Sequence, residues 1–143
     1  MAQEIDSNIL PLGGLKADDV PSLSLAFLGD SVYELVIRNM AMIKLNGKAG
    51  DLNRITKEYS NARTQALISE LLQDEFTEDE MHYFKRGRNA KSISAPKSCT
   101  ISEYRRATGF ETLLGHLYLD GKMDRVVELV RTGIERYEQR IDG

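Results

Sequence analysis

Leu25-Ala26-Phe27-Leu28-Gly29-Asp30-Ser31-Val32-Tyr33-Glu34-Leu35 is the stretch on which the fold turns. It sits inside a helical pattern running from about Ser22 to Lys44 and ending near Asn46-Gly47. On a wheel of about 100° per residue, Leu25, Leu28, Val32, Leu35, Val36, Ile37, Met40 and Ile43 cover most of the circumference. Only Asp30, Ser31, Glu34 and Arg38 form a polar stripe. A helix apolar on nearly all sides is expected to be buried, so Asp30 and Glu34 should open from a central helix into a polar pocket or interface. Gly29-Asp30 is also an unfavourable pair in mid-helix. Gly costs about 1 kcal/mol there relative to Ala, and Asp is a poor helix former. A close helix contact for the Gly and a fixed partner for the Asp would account for it. The alternative is a Glu34–Arg38 ion pair one turn apart with Asp30 merely exposed.

A second acid stands out downstream. The helix expected from Glu103 to Asp120 carries Ala107, Phe110, Leu113, Leu114, Leu117 and Tyr118 on one stripe, and Glu111 falls within it. A buried carboxylate needs a partner. That partner is a metal ion, or a cation such as Arg38 or Arg63. Acids from two helices facing one pocket suit a hard divalent ion, which prefers oxygen ligands and can serve phosphodiester cleavage. No zinc-type spacing of Cys and His occurs; His82 and His116 read as surface or packing residues. There is no signal for a Ser–His–Asp triad and no phosphate-cradling glycine loop.

The rest of the chain is helical in pattern and without repeats. Residues 1–20 are polar, with Pro11, Gly13 and Gly14, and read as an irregular lead-in to a single domain over 21–143. Further helices are expected at about Asp51–Tyr59 and Ala62–Gln73. Thr77 with Glu80, and Thr100 with Glu103, have capping-box spacing. Gly87 to Ser98 reads as a loop, Gly121 as a stop, and Met123, Val126, Val127, Val130, Ile134 and Tyr137 as the apolar face of a last helix. The class expected is all-α.

Net charge is −3, which by itself gives nucleic-acid binding no support. The charge is uneven, however. Lys85, Arg86, Arg88, Lys91, Lys97, Arg105 and Arg106 face Glu103 alone in one window, a basic strip on an acidic body. A solvated basic loop is the bland alternative. The single cysteine, Cys99, cannot close an internal disulfide, no apolar run could span a membrane, and residues 1–10 resemble no targeting signal. A cytoplasmic protein without a membrane partner is expected.

The stretch from Leu25 to Leu35 closely resembles the signature helix of the ribonuclease III catalytic domain. Arg106-Ala107-Thr108-Gly109-Phe110-Glu111-Thr112-Leu113-Leu114-Gly115 resembles that family's second acidic helix. Lys85-Arg86-Gly87-Arg88-Asn89-Ala90-Lys91-Ser92 with Pro96-Lys97 is similar to the bacterial subfamily called Mini-ribonuclease III. The match runs from about Leu23 to Leu119. It implies an all-helical, homodimeric endonuclease-domain bundle that hydrolyses double-stranded RNA with Mg²⁺, with Mn²⁺ able to substitute, leaving 5′-phosphate and 3′-hydroxyl ends. It implies that Asp30 and Glu111 are the catalytic, metal-binding carboxylates, and the subfamily implies maturation of precursor 23S ribosomal RNA. Glu34 and Thr108 are candidates for a supporting role around the metal. Lys85, Arg86, Arg88, Asn89, Lys91 and Lys97 are candidates for RNA contact. Two departures stand out. Standard ribonuclease III has a Glu where this chain has Ala26 and an Asp where it has Thr108. The 24 residues after Leu119 read as one helix rather than a double-stranded-RNA-binding domain. The sequence leaves open whether a ribosomal protein presents the substrate. A catalytically inactive RNA-binding scaffold and a plain helical interaction module are the competing readings.

Overall fold

A computed structural model describes residues 15–45, 49–91 and 95–143. The expected stop at Asn46-Gly47 and most of the expected lead-in lie outside them. Among the described residues there are six α-helices and no strand, so the all-α expectation holds: α1 Ser22–Leu45, α2 Ala49–Ser60, α3 Ala62–Leu71, α4 Glu78–Arg88, α5 Ile101–Leu119 and α6 Met123–Asp142. A short 3-10 turn, Ala17–Asp19, precedes α1. No helix among these residues is long and apolar enough to cross a membrane.

Local chemistry explains the helix ends. Pro21 precedes α1, and its carbonyl accepts from the Ser24 and Leu25 N–H groups. Both capping boxes form. The Thr77 hydroxyl accepts from the Glu80 N–H at 3.1 Å while the Glu80 carboxylate accepts from the Thr77 N–H at 3.0 Å. Thr100 and Glu103 repeat the exchange at 3.0 and 2.8 Å. Gly121, with φ of 73°, ends α5 in the left-handed region. The Lys122 N–H then reaches back to the Leu117 carbonyl and the Gly121 N–H to that of Tyr118, a Schellman closure.

The central helix is α5, not α1. Ala107 to Phe110, Thr112 to Leu117 and Leu119 are buried on all sides by α1, α3, α4 and α6. Tyr33, Ile68, Leu72, Phe84 and Val130 join its Phe110, Leu113 and Leu114 in one continuous apolar cluster. Each such side chain contributes about 1.5–3 kcal/mol by leaving water. The expectation that α1 is buried all round fails. Leu25, Val32, Tyr33, Val36 and Ile37 face the core, but Phe27 is 83 % exposed, Ile43 80 % and Leu35 56 %. The pattern was apolar on both faces because only one face meets this chain's own core.

The expected loop from Gly87 also needs correcting: α4 continues through Arg88 and caps at Asn89. Gly87 is helical because α5 lies against it. A Cβ there would sit 2.2 Å from the Thr112 hydroxyl. Absence of a side chain, rather than a turn, is what the position needs.

Ion pairs hold the periphery. Arg125 on α6 grips Glu80 on α4 through two bonds of 2.9 Å and donates to the Glu75 carbonyl at 2.7 Å. Burial pushes the Glu80 carboxyl up, but its bonds from Arg125 and Thr77 outweigh that and hold it below the ordinary carboxylate value. Arg136 ties the same corner through the Leu71 carbonyl, Asp74 and Glu75.

Candidate active site

The site is made by the crossing of α1 and α5. A Cβ on Gly29 would lie 1.7 Å from the Glu111 carbonyl oxygen, and one on Gly115 would lie 2.0 Å from that of Leu25. The two backbones therefore touch, through one glycine from each helix. That contact sets Asp30, next in sequence to Gly29, against Glu111. Their carboxyls are close enough to hydrogen-bond.

The pair opens into a cleft of about 550 Å³. Asp30 and Glu111 line it with Ala26, Phe27, Thr108 and Lys91. Ser60 and Gln65, from the α2–α3 corner, close its far side. Burial, then the neighbouring Asp30 carboxyl, push the Glu111 carboxyl up to about 9 from an ordinary value of 4.5. Neither expected arginine relieves it. Arg38 pairs with Glu34 at 3.5 Å, and Arg63 with Glu103 at 3.3 Å. Among the described residues no cation pairs with Glu111. Two acids placed together, with no cation paired to Glu111 among the described residues, form an anionic site that must hold either a proton or a cation from solution.

The donor set suits a hard divalent ion. It is all oxygen, with two carboxylates, which is how Mg²⁺ is often held while it keeps several waters. Among the described residues no group of three or more His, Cys, Asp or Glu side chains could hold a metal. Two unpartnered buried atoms add to the fit. Gln65, 2 % exposed, donates through Nε2 to the Ser60 carbonyl at 2.9 Å, but its Oε1 has no protein donor. The Ser60 hydroxyl is likewise without a partner. An unmatched buried acceptor costs about 1–3 kcal/mol, which an ordered water or ion would offset.

The other sequence candidates are distributed unevenly. Thr108 lines the cleft, its hydroxyl donating to the Tyr104 carbonyl at 2.9 Å. Glu34 is outside the cleft wall, on the Arg38 ion pair. Of the basic candidates, Lys91 reaches the cleft. Lys85 and Lys97 are exposed elsewhere. The Arg86 guanidinium lies 5.3 Å from the Tyr83 ring centre. Arg88 donates to the Asn89 side chain at 3.2 Å, and both line a shallow hollow with Arg105 and Arg106. The basic strip is thus spread over α4, the segment after it and the start of α5. Gln65 and Ser60 were not anticipated. The available signal was Gln65 itself, a polar residue beside Ala66, Ile68 and Ser69 on the buried side of α3.

The raised Glu111 carboxyl has a consequence for stability. Its folded value lies above its unfolded one, so the folded state holds that proton more tightly. Stability from this group is complete below about pH 4.5 and is lost as pH rises toward 9. A divalent ion replaces the proton and should reverse the loss. We expect Mg²⁺ to raise the melting temperature more at pH 8.5 than at pH 6, measured by thermal unfolding against EDTA. Glu111→Gln should remove that difference. His116, buried and held below its ordinary 6.5, contributes a slope of opposite sign, and comparison with Glu111→Gln cancels it. An equal Mg²⁺ effect at both pH values would refute the paired-carboxyl reading.

Residues 23–122 match the Ribonuclease III domain family. The chain is 39 % identical over 120 residues to "Mini-ribonuclease 3" of Symbiobacterium thermophilum, covering 84 % of this chain and 92 % of that protein. It is 42 % identical over 109 residues to "Mini-ribonuclease 3" of Brevibacillus brevis, covering 76 % and 81 %. A crystal structure of a Fusobacterium nucleatum protein superposes with a TM-score of 0.75 at 32 % identity, covering 86 % of this chain and 99 % of that one.

Proposed function

The chain belongs to the Mini-ribonuclease 3 branch of the ribonuclease III family and is an RNA endonuclease; from that premise we propose that it hydrolyses double-stranded RNA with Mg²⁺ held by Asp30 and Glu111. One observation carries the proposal. Two carboxyls from α1 and α5 are pressed together in an open cleft, and among the described residues no cation pairs with Glu111. When bound, Mg²⁺ supplies the charge that polarises a scissile phosphate and acidifies an attacking water. The chain's own residues supply position. Asp30 and Glu111 bind on a rigid helix crossing, Lys91 faces a backbone phosphate from the cleft wall, and Phe27 bounds the cleft on its solvent side. Ends bearing 5′-phosphate and 3′-hydroxyl follow from this reading, with a stem of precursor 23S ribosomal RNA as the substrate.

The direct test is incubation of a long RNA duplex with the protein in Mg²⁺, with EDTA as control. Cutting in Mg²⁺ alone supports the reading. Binding without cutting, on a precursor ribosomal stem as well, would favour the inactive scaffold, with the family acids replaced by Ala26 and Thr108 as its cause.

Duplex affinity should depend on backbone charge, since A-form RNA is recognised by shape and phosphates. We expect binding to weaken steeply with salt. Replacing Lys85, Lys91 and Lys97 together by Ala should lower the log–log slope by up to about 3, roughly one per phosphate contact. A salt-insensitive affinity, or an unchanged slope, would remove these lysines from the interface. The family's homodimer has a matching surface. Leu23 and Phe27 are exposed where α1 borders the cleft, and Leu35 is exposed further along the same helix; exposed apolar surface of this kind is a protein interface signal. Sedimentation at micromolar concentration should show a dimer. A monomer would exclude this face as a self-interface.

A further inference from the structure

The two unpartnered atoms of the α2–α3 corner belong to the same cleft as the two acids. Three buried side-chain polar atoms lack partners among the described residues, those of Ser60, Gln65 and His116. The first two line the wall facing Asp30 and Glu111. His116 is elsewhere, stacked on Tyr83 at 3.5 Å. Orphaned polar groups in a well-packed protein call for an explanation, and two on one wall of an anionic cleft share one.

Gln65 is held firmly enough to act. It sits in the first turn of α3, where the Asn61 side chain caps the helix through the Thr64 N–H at 2.9 Å. Its Nε2 faces the Ser60 carbonyl, so the amide orientation is unambiguous: a reversed amide would set oxygen against oxygen. The same amide acts on Glu111, drawing its carboxyl down against burial and Asp30. The oxygen is then left with two lone pairs and no donor.

We propose that Gln65 is the third protein group of the metal site, a positioning residue. Its amide N–H orients Glu111, and its Oε1 accepts a hydrogen bond from a water of the ion's hydration shell. The proposal rests on the reading of Asp30 and Glu111 as the metal carboxylates. It explains how a site with only two acids can hold a hydrated ion in one orientation. Mg²⁺ keeps several waters, and those waters need acceptors. Groups around the direct ligands fix ligand orientation, and their loss lowers metal affinity about 10–100-fold. Ser60, on the same wall, offers a hydroxyl to the same shell.

The test is Mn²⁺ titration of the full chain without RNA, followed by electron paramagnetic resonance. Each variant's unfolding is also measured in EDTA. Gln65→Leu keeps the volume and removes both amide groups. It should weaken Mn²⁺ binding by about 10-fold or more, while in EDTA the loss of the unmatched Oε1 and the loss of the bond to the Ser60 carbonyl act on unfolding in opposite directions. Unchanged Mn²⁺ affinity overturns the proposal. Gln65→Met keeps the length of the side chain, also removes both amide groups, and should weaken Mn²⁺ binding in the same way. If Gln65→Leu does not fold, Gln65→Met decides alone, and unchanged Mn²⁺ affinity there overturns the proposal. Wild-type Mn²⁺ binding that is absent, or that Asp30→Asn leaves intact, overturns the carboxylate reading itself and Gln65's role with it.

Discussion

Asp30→Asn and Glu111→Gln are each expected to reduce cleavage of a long RNA duplex in Mg²⁺ by well over the roughly 100-fold that loss of an outer-shell group costs. Both substitutions preserve size and the ability to hydrogen-bond across the pair, so the α1–α5 crossing should survive. Each removes one of two like charges that lie together with no protein cation beside Glu111. Stability in EDTA should therefore stay level or rise, most clearly above neutral pH, where the wild-type pair is forced toward double ionisation. Activity lost with stability retained marks a site that works at the expense of its fold. Activity and stability falling together would point to a structural pair instead. Full cleavage by either variant would take that carboxyl out of the reaction.

Gly29→Ala should unfold the protein more readily and should also impair it. Two effects compete. Ala is the better helix residue by about 1 kcal/mol. Against that, its Cβ would lie 1.7 Å from the Glu111 carbonyl oxygen, 2.6 Å from the carbonyl carbon and 2.9 Å from the Gly115 nitrogen. All three are backbone atoms of a central helix and cannot swing aside. Overpacking a tight core costs about 1–3 kcal/mol, and more when backbone must move, so the clash wins. A fall in melting temperature of about 5–10 °C is expected. The helices would separate at the point that sets Asp30 on Glu111, and a misplacement of about 1 Å costs about 100-fold in rate. Gly115→Ala should behave alike, with the Leu25 carbonyl as its obstacle at 2.0 Å. Equal or greater stability in Gly29→Ala would mean that the backbones do not touch.

Local features were legible in the sequence and long-range ones only by their symptoms. Capping boxes at Thr77 and Thr100 involve residues three apart, so spacing alone reveals them. Gly29 in mid-helix and Glu111 on an apolar stripe were symptoms of a contact between helices eighty residues apart. The partner was not readable: Glu111 could have met Arg38, Arg63 or a metal, and the structure gives it Asp30 and Gln65. Exposure of Leu35 was hidden because periodicity records which faces are apolar and not which of them this chain covers itself. Gly87 was misread for the converse reason. Glycine marks a turn and a tight crossing with the same letter, and only the position of Thr112 distinguishes them.

The glycine crossing also bears on how such a site can change over generations. The spacing of Asp30 and Glu111 is set by main chain against main chain, whereas Ala26 and Thr108 are side chains on the cleft wall. The acid complement of the wall can therefore drift without disturbing the two groups that remain. Substitution at either glycine, by contrast, disturbs both of those groups in a single step. A reduced catalytic set on an unaltered frame is what that asymmetry in mutational tolerance would leave behind.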